Sequence, residues 1–218
     1  AGGEGWLTDI DAAKKSAGES KKDLLIDFTG SDWCGWCIKL NDQVFKHDAF
    51  KTGVKDSFVL VEIDFPREKG KLPEDARKRN TELGEKYAVQ GYPTILLCDA
   101  EGKPYASTGY QEGGPEKYVA HLNELRTNKT RRDEAFAKAE KLSGPDKAKV
   151  LVSALDAMKL DAKVVDNFYG DVAEQIRAAD PKDATGFVKK ADSGKRLEAF
   201  QKSLQEFGAK RDHDGALA

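Results

Sequence analysis

Residues 24–37 read LLIDFTGSDWCGWC. An aliphatic run of strand length gives way at Gly30-Ser31-Asp32 to two cysteines, each with a tryptophan directly before it. Cys34 and Cys37 stand about one helical turn apart, within disulfide reach if a helix begins at Cys34. Such a pair can hold a metal, staple the chain or pass electrons. A structural zinc site takes four Cys or His ligands, commonly as two close pairs. This chain has one pair, a lone Cys98 and three scattered histidines, His47, His121 and His213, so no metal is predicted. A permanent staple closing so short a loop removes little chain entropy. Redox chemistry fits the local physics better. A Cys34 thiolate at the start of a helix faces unpaired N–H groups and the positive end of the helix dipole. In Cys-X-X-Cys pairs these effects pull the thiol pKa from about 8.5 into roughly 3.5–7.5. Cys34 is therefore the expected nucleophile and Cys37, deeper in the helix, the resolving thiol.

The surroundings of the pair alternate strand and helix. TDIDAAKKSAGES (8–20) reads as a helix with Thr8 and Asp9 as caps. DLLIDF (23–28), SFVLVEID (57–64) and PTILLCDA (93–100) read as buried strands, with PYASTG (104–109) following a turn. CGWCIKLNDQVFKHDAFKTGV (34–54) and TELGEKYAV (81–89) read as helices, and Gly113-Gly114-Pro115 opens another. This order predicts an α/β fold, a mixed sheet with helices on both faces, over residues 1–126. After about Arg126 the strand signal vanishes. RRDEAFAKAEKLSG, DKAKVLVSALDAM, AKVVDNFYGDVAEQIRAA and SGKRLEAFQKSLQEFG carry apolar residues at helical spacing. Residues 127–218 are expected to form an α-helical domain of about four helices in two antiparallel hairpins, ending in the tail KRDHDGALA.

Length and composition bound the rest. The chain has 218 residues, 39% hydrophobic and 34% charged, with a net charge of -2. That argues against a dedicated nucleic-acid binder, and the apolar runs are too short to span a bilayer. The opening AGGEGW suits either a mature exported chain or one cut from a longer protein.

LLIDFTGSDWCGWC, VLVEID, KYAVQGYPTILLCDAEGK and GGPEKYVAHL, in that order over about residues 5–126, resemble the thioredoxin superfamily. The DWCGWC form with a following Val-Phe is most similar to the thioredoxin-like proteins that bacteria export. The resemblance implies a thiol–disulfide oxidoreductase acting on protein disulfides or dithiols, with a redox partner protein and no organic cofactor, outside the cytoplasm. It implies that Pro93 is the family's cis-proline facing the pair, that Tyr92 offers backbone groups to an extended substrate, and that Trp33 precedes the nucleophile. It also implies that Asp27 is the buried acid that moves a proton when Cys37 attacks. The sequence departs from the family in three places. One extra residue separates Asp27 from Cys34, Leu60 stands where a lysine often accompanies the acid, and Gly35-Trp36 fills the pair.

Several readings stay open at this level. Trp33 and Trp36 are either rim residues that contact substrate or packing residues, and Asp27 is either a proton carrier or a hydrogen-bonded structural group. Cys98 reads as a small buried hydrophobe, Trp6 as core, and His47 and His121 as helix-surface residues without chemistry. The charged stretch PREKGKLPEDARKRN (66–80) is expected to be loop, either a docking lid or a solvated insertion. A contrasting function is a non-catalytic binding or assembly module in which the helical domain docks a partner protein.

Overall fold

Five strands form one mixed sheet in the order β1-β3-β2-β4-β5: β1 (Trp6–Leu7), β2 (Asp23–Thr29), β3 (Phe58–Asp64), β4 (Thr94–Cys98) and β5 (Pro104–Thr108). The computed structural model describes residue 3, residues 5–194 and residues 196, 199, 200, 203 and 204. β1, β3 and β2 run parallel, whereas β4 is antiparallel to both β2 and β5. β2 is buried along its whole length, which accounts for its unbroken aliphatic reading.

The two sheet faces carry separate cores. Leu24, Ile26, Phe28, Val61, Ile63 and Leu96 pack with Ala13 and Ala17 of α1 (Ile10–Ser20) on one face. Leu25, Ile95 and Leu97 pack on the other with Leu40 of α2 (Gly35–Leu40) and Phe50 of α3 (Asp48–Val54). Asp9 caps α1 by accepting from Asp11 N and Ala12 N, as its position just ahead of the helix predicts.

Three local expectations are corrected. The helix expected over 34–54 is broken: α2 gives way to a π-helical turn at Asn41–Phe45, and His47 is extended (φ -81°, ψ 140°) before α3. The charged stretch 66–80 is loop only as far as Pro73, because α4 spans Glu74–Lys86. Glu74 and Asp75 in its first turn favour the helix dipole, but of its 13 residues only Asn80 is buried. Charge without an apolar stripe hid its first half, residues 74–80, while its second half lies in the helix expected over 81–89, which ends at Lys86. The run 162–179 is two helices, α7 (Ala162–Phe168) and α8 (Gly170–Ala179), divided at Tyr169 (φ -128°, ψ 23°). The break lets the buried Tyr169 hydroxyl donate to the Pro104 carbonyl at 2.6 Å. Trp6 packs against the core as expected: it lies in β1, paired with Leu60, meets Phe45 at a tilt and stacks on Phe50.

α5 (Gly114–Ala139) runs through Arg126 without interruption, and α6 (Gly144–Met158) follows. Residues 187–194 are helical. Most of the helix expected over 193–208, the tail 210–218 and His213 lie outside the described residues.

Strand register gives the molecule two distinct ends. Thr29 pairs with Asp64, Phe28 with Thr94 and Ile95 with Thr108. The segments after β2 and β3, before β4 and after β5 therefore converge on one end of the sheet, where the cysteines are. Asp23, Asp99 and Pro104 lie at the other end. There α5 and α8 are fastened by Lys129 on Asp23, Arg132 on Asp99 at 2.9 Å, and Tyr169 on Pro104.

Candidate redox site

Cys34 follows the turn Gly30–Trp33 that leaves β2, and its N–H donates to the Gly30 carbonyl at 2.9 Å. It is the N-cap of α2, with φ -84° and ψ 102°, and its Sγ accepts from the Cys37 N–H at 3.2 Å. Cys34 and Cys37 form a disulfide with a Cα–Cα distance of 5.2 Å. Both are buried, Cys34 at 6% exposure and Cys37 at 4%. The same backbone donor that caps the helix would stabilise a Cys34 thiolate once the bond opens.

Aromatic side chains from four segments gather around the pair. The Trp33 indole Nε1 donates to the Phe65 carbonyl at 2.7 Å, and Tyr92 meets its ring edge-on at 5.5 Å. A Cβ on Gly30 would lie 2.5 Å from Trp33 Cε2, so the indole can fold over the turn only because residue 30 is glycine. Trp36 is 57% exposed and lies 5.3 Å from Tyr110, which follows β5. The Tyr92–Pro93 peptide bond is cis. The structure thus brings together Trp33 and Tyr92 from the sequence-derived set, and places Trp36 on the opposite flank with Tyr110.

Asp27 lies on β2, one turn of the pleat from Leu25 and so on the face that α2 and α5 cover. It is buried, and its Oδ1 has no hydrogen-bond partner among the described residues. Burial, reinforced by the charges of Glu62 and Asp64, pushes its carboxyl well above the usual carboxylate range. The register explains the missing cation. Leu60 stands opposite Leu25, and Asp27 has Glu62 and Ile95 as its cross-strand neighbours. Cys98, in β4, is free and fully buried, and burial raises its thiol. His47 Nε2 contacts the Asp42 carbonyl and His121 Nε2 the Thr108 hydroxyl.

Sequence reasoning missed the residues that lace the site to the loop after β3. The Asp32 carboxylate accepts from the backbone N–H groups of Arg67 at 3.0 Å and Glu68 at 2.8 Å, which holds it below its usual range. Ser31 donates to Asp64 through its N–H and its hydroxyl, and Lys71 reaches the Ser31 hydroxyl. The only signal for these was the position of residues 65–71 just past a strand end.

The thioredoxin-like domain family matches residues 10–126. Disulfide bond reductase DsbH of Chlamydia pneumoniae is 40% identical over 117 residues, which are 54% of this chain and 69% of that protein. Thioredoxin-related protein DsbJ of the same organism is 30% identical over 96 residues, 44% of this chain and 27% of that protein. A solved structure of DsbH oxidoreductase superposes with a TM-score of 0.52 at 37% identity, covering 55% of this chain and 82% of the other. The matched residues make up more than half of the chain and hold the disulfide, both flanking tryptophans and the Tyr92–Pro93 bond, so this chain belongs to the thioredoxin-like domain family.

Proposed function

We propose that this chain is a protein disulfide reductase or isomerase in which Cys34 attacks and Cys37 resolves. It is a thiol–disulfide oxidoreductase, and the observation that carries the reading is the buried Cys34–Cys37 disulfide at a strand–helix junction, capped by the Cys37 N–H. In the reducing direction the Cys34 thiolate attacks one sulfur of a substrate disulfide. A mixed disulfide forms and the substrate's other sulfur leaves as a thiolate. The Cys37 thiol loses its proton and attacks Cys34 Sγ. The Cys34–Cys37 bond forms and the second substrate thiolate departs, so two electrons have passed to the substrate. Asp27 is proposed to exchange the Cys37 proton, since its raised pKa brings a carboxyl closer to the thiol range than an ordinary Asp. Tyr92 and Pro93, at the entry to β4, are proposed to hold an extended substrate backbone, with Trp33 and Trp36 as walls.

The extracytoplasmic setting is part of the same proposal and is supported by the resemblance of the DWCGWC stretch to exported forms. No helix among the described residues is long and apolar enough to cross a membrane. Residues 127–218 are proposed as a separate α-helical unit with a supporting role, since its fastenings lie at the sheet end opposite the disulfide.

Insulin reduction with dithiothreitol as electron source tests this reading. Cys34→Ser should lower the rate to the background set by dithiothreitol alone. A Cys34→Ser protein that keeps half of the wild-type rate would overturn the assignment.

A further inference from the structure

Each tryptophan that precedes a cysteine carries a cation on its ring. The Arg67 guanidinium, from the loop after β3, lies 4.1 Å from the Trp33 ring centre. The Lys39 ammonium, on α2, lies 4.9 Å from the Trp36 ring centre and 4.7 Å from that of Tyr110. Two unconnected segments thus hold like charges on the two flanks of the disulfide. A cation seated on an aromatic face is held at a fixed place while its outer side still faces solvent. Among the described residues neither Arg67 nor Lys39 forms an ion pair. The nearby acid, Asp32, is turned to the backbone of Arg67 and Glu68, where it fixes the loop that presents the guanidinium. Trp36, which carries Lys39, is itself 57% exposed and adds apolar surface to this rim.

We propose that this rim selects cysteine-bearing polypeptide segments with acidic side chains on both sides of the cysteine, one carboxylate meeting Arg67 and the other Lys39. The proposal rests on the reading of Cys34–Cys37 as a redox pair and adds a substrate preference to it. An apolar side chain between the acids covers the exposed part of Trp36. Complementary charge of this kind acts chiefly on the rate of productive encounter and weakens with salt. Arg67 and Lys39 are then specificity-determining residues for partners that the sulfur chemistry alone would not distinguish.

The test uses the reduced full-length protein and three synthetic peptide disulfides of equal length, whose cysteine is flanked by Glu, Gln or Lys. Stopped-flow tryptophan fluorescence gives the rate of oxidation for each. At low salt the Glu peptide should react about tenfold faster than the Lys peptide, with the Gln peptide between them. Raising the salt should compress that ratio severalfold. In Arg67→Gln/Lys39→Gln the ratio should fall to within about twofold of one, a loss of roughly 1 kcal/mol of discrimination or more. The ratio is insensitive to the intrinsic reactivity of Cys34, which affects all three peptides alike. A variant of equal charge change at exposed positions on α5 and after it, Lys138→Gln/Lys141→Gln, should keep the wild-type ratio. A wild-type ratio near one, a preference for Lys, or a preference that survives the rim variant would overturn the proposal. No reaction with any peptide would instead sink the redox reading on which it rests.

Discussion

Glu62 stands beside Asp27 in the parallel ladder of β2 and β3, so the buried carboxyl has an acid as its cross-strand neighbour. The pairing follows from register, and it raises a cost that burial already imposes. A group whose folded pKa lies above its unfolded value contributes its full stability below the unfolded value, about 3.9 for Asp. That contribution is lost as pH rises toward the folded pKa.

Asp27→Asn should therefore stabilise the protein at pH 8 by about 1 kcal/mol or more, roughly 2–4 °C in Tm. The gain should shrink toward zero as pH falls to about 4. Thermal unfolding of both proteins at the two pH values checks this, and a variant less stable than wild type at pH 8 would contradict it. The same substitution should slow the resolving step if Asp27 exchanges the Cys37 proton.

The opposite end of the sheet gives a second expectation. Arg132 and Asp99 are both buried and 2.9 Å apart, and Arg132 also donates to the Tyr169 hydroxyl. Arg132→Met leaves the Asp99 carboxyl buried without its cation, which should cost about 3–5 kcal/mol. Arg132→Met/Asp99→Leu should recover most of that loss. Denaturant unfolding of the two variants decides it, and equal losses in both would contradict the ion-pair account. Insulin reduction per folded molecule should change little, because the pair lies at the end of the sheet opposite Cys34.

Trp36 makes its packing contacts at the surface, so Trp36→Ala should move Tm by less than about 2 °C. Its proposed work is on substrate. The rate with a protein disulfide should fall about 3- to 10-fold, an amount typical of one aromatic contact. An unchanged rate in steady-state insulin assays would return Trp36 to a packing role.

The direction of electron flow turns on the potential of the couple. The reductase or isomerase reading expects a value between about -270 and -180 mV, measured by equilibration against glutathione. A value near about -120 mV would mark an oxidant.

How much of this was legible depended on how local the cause is. The Cys34–Cys37 pair, the strand before it and the helix after it lie within one short stretch, and together, with no further metal ligands beside them, they pointed to a redox site. The long aliphatic runs of β2, β3 and β4 announced themselves because both faces are buried. The first half of α4 did not, since its side chains are charged and it buries little. The break at His47 and the turn of Tyr169 toward Pro104 depend on tertiary partners that no window of sequence contains. Asp27 came from the family resemblance, which also pointed to Leu60, whereas its neighbour Glu62 follows from register. Arg67, Lys39 and Tyr110 were invisible as a set, because the sheet order β1-β3-β2-β4-β5 is what brings their segments together.

The central claim is that Cys34 is the attacking thiol and Cys37 the resolving one. Mass spectrometry of the two single-serine variants, each reduced and then mixed with a peptide disulfide, tests it most directly. Cys37→Ser should accumulate a stable mixed disulfide through Cys34, and Cys34→Ser should accumulate little. The reverse pattern, or equal adducts on both variants, would contradict the account.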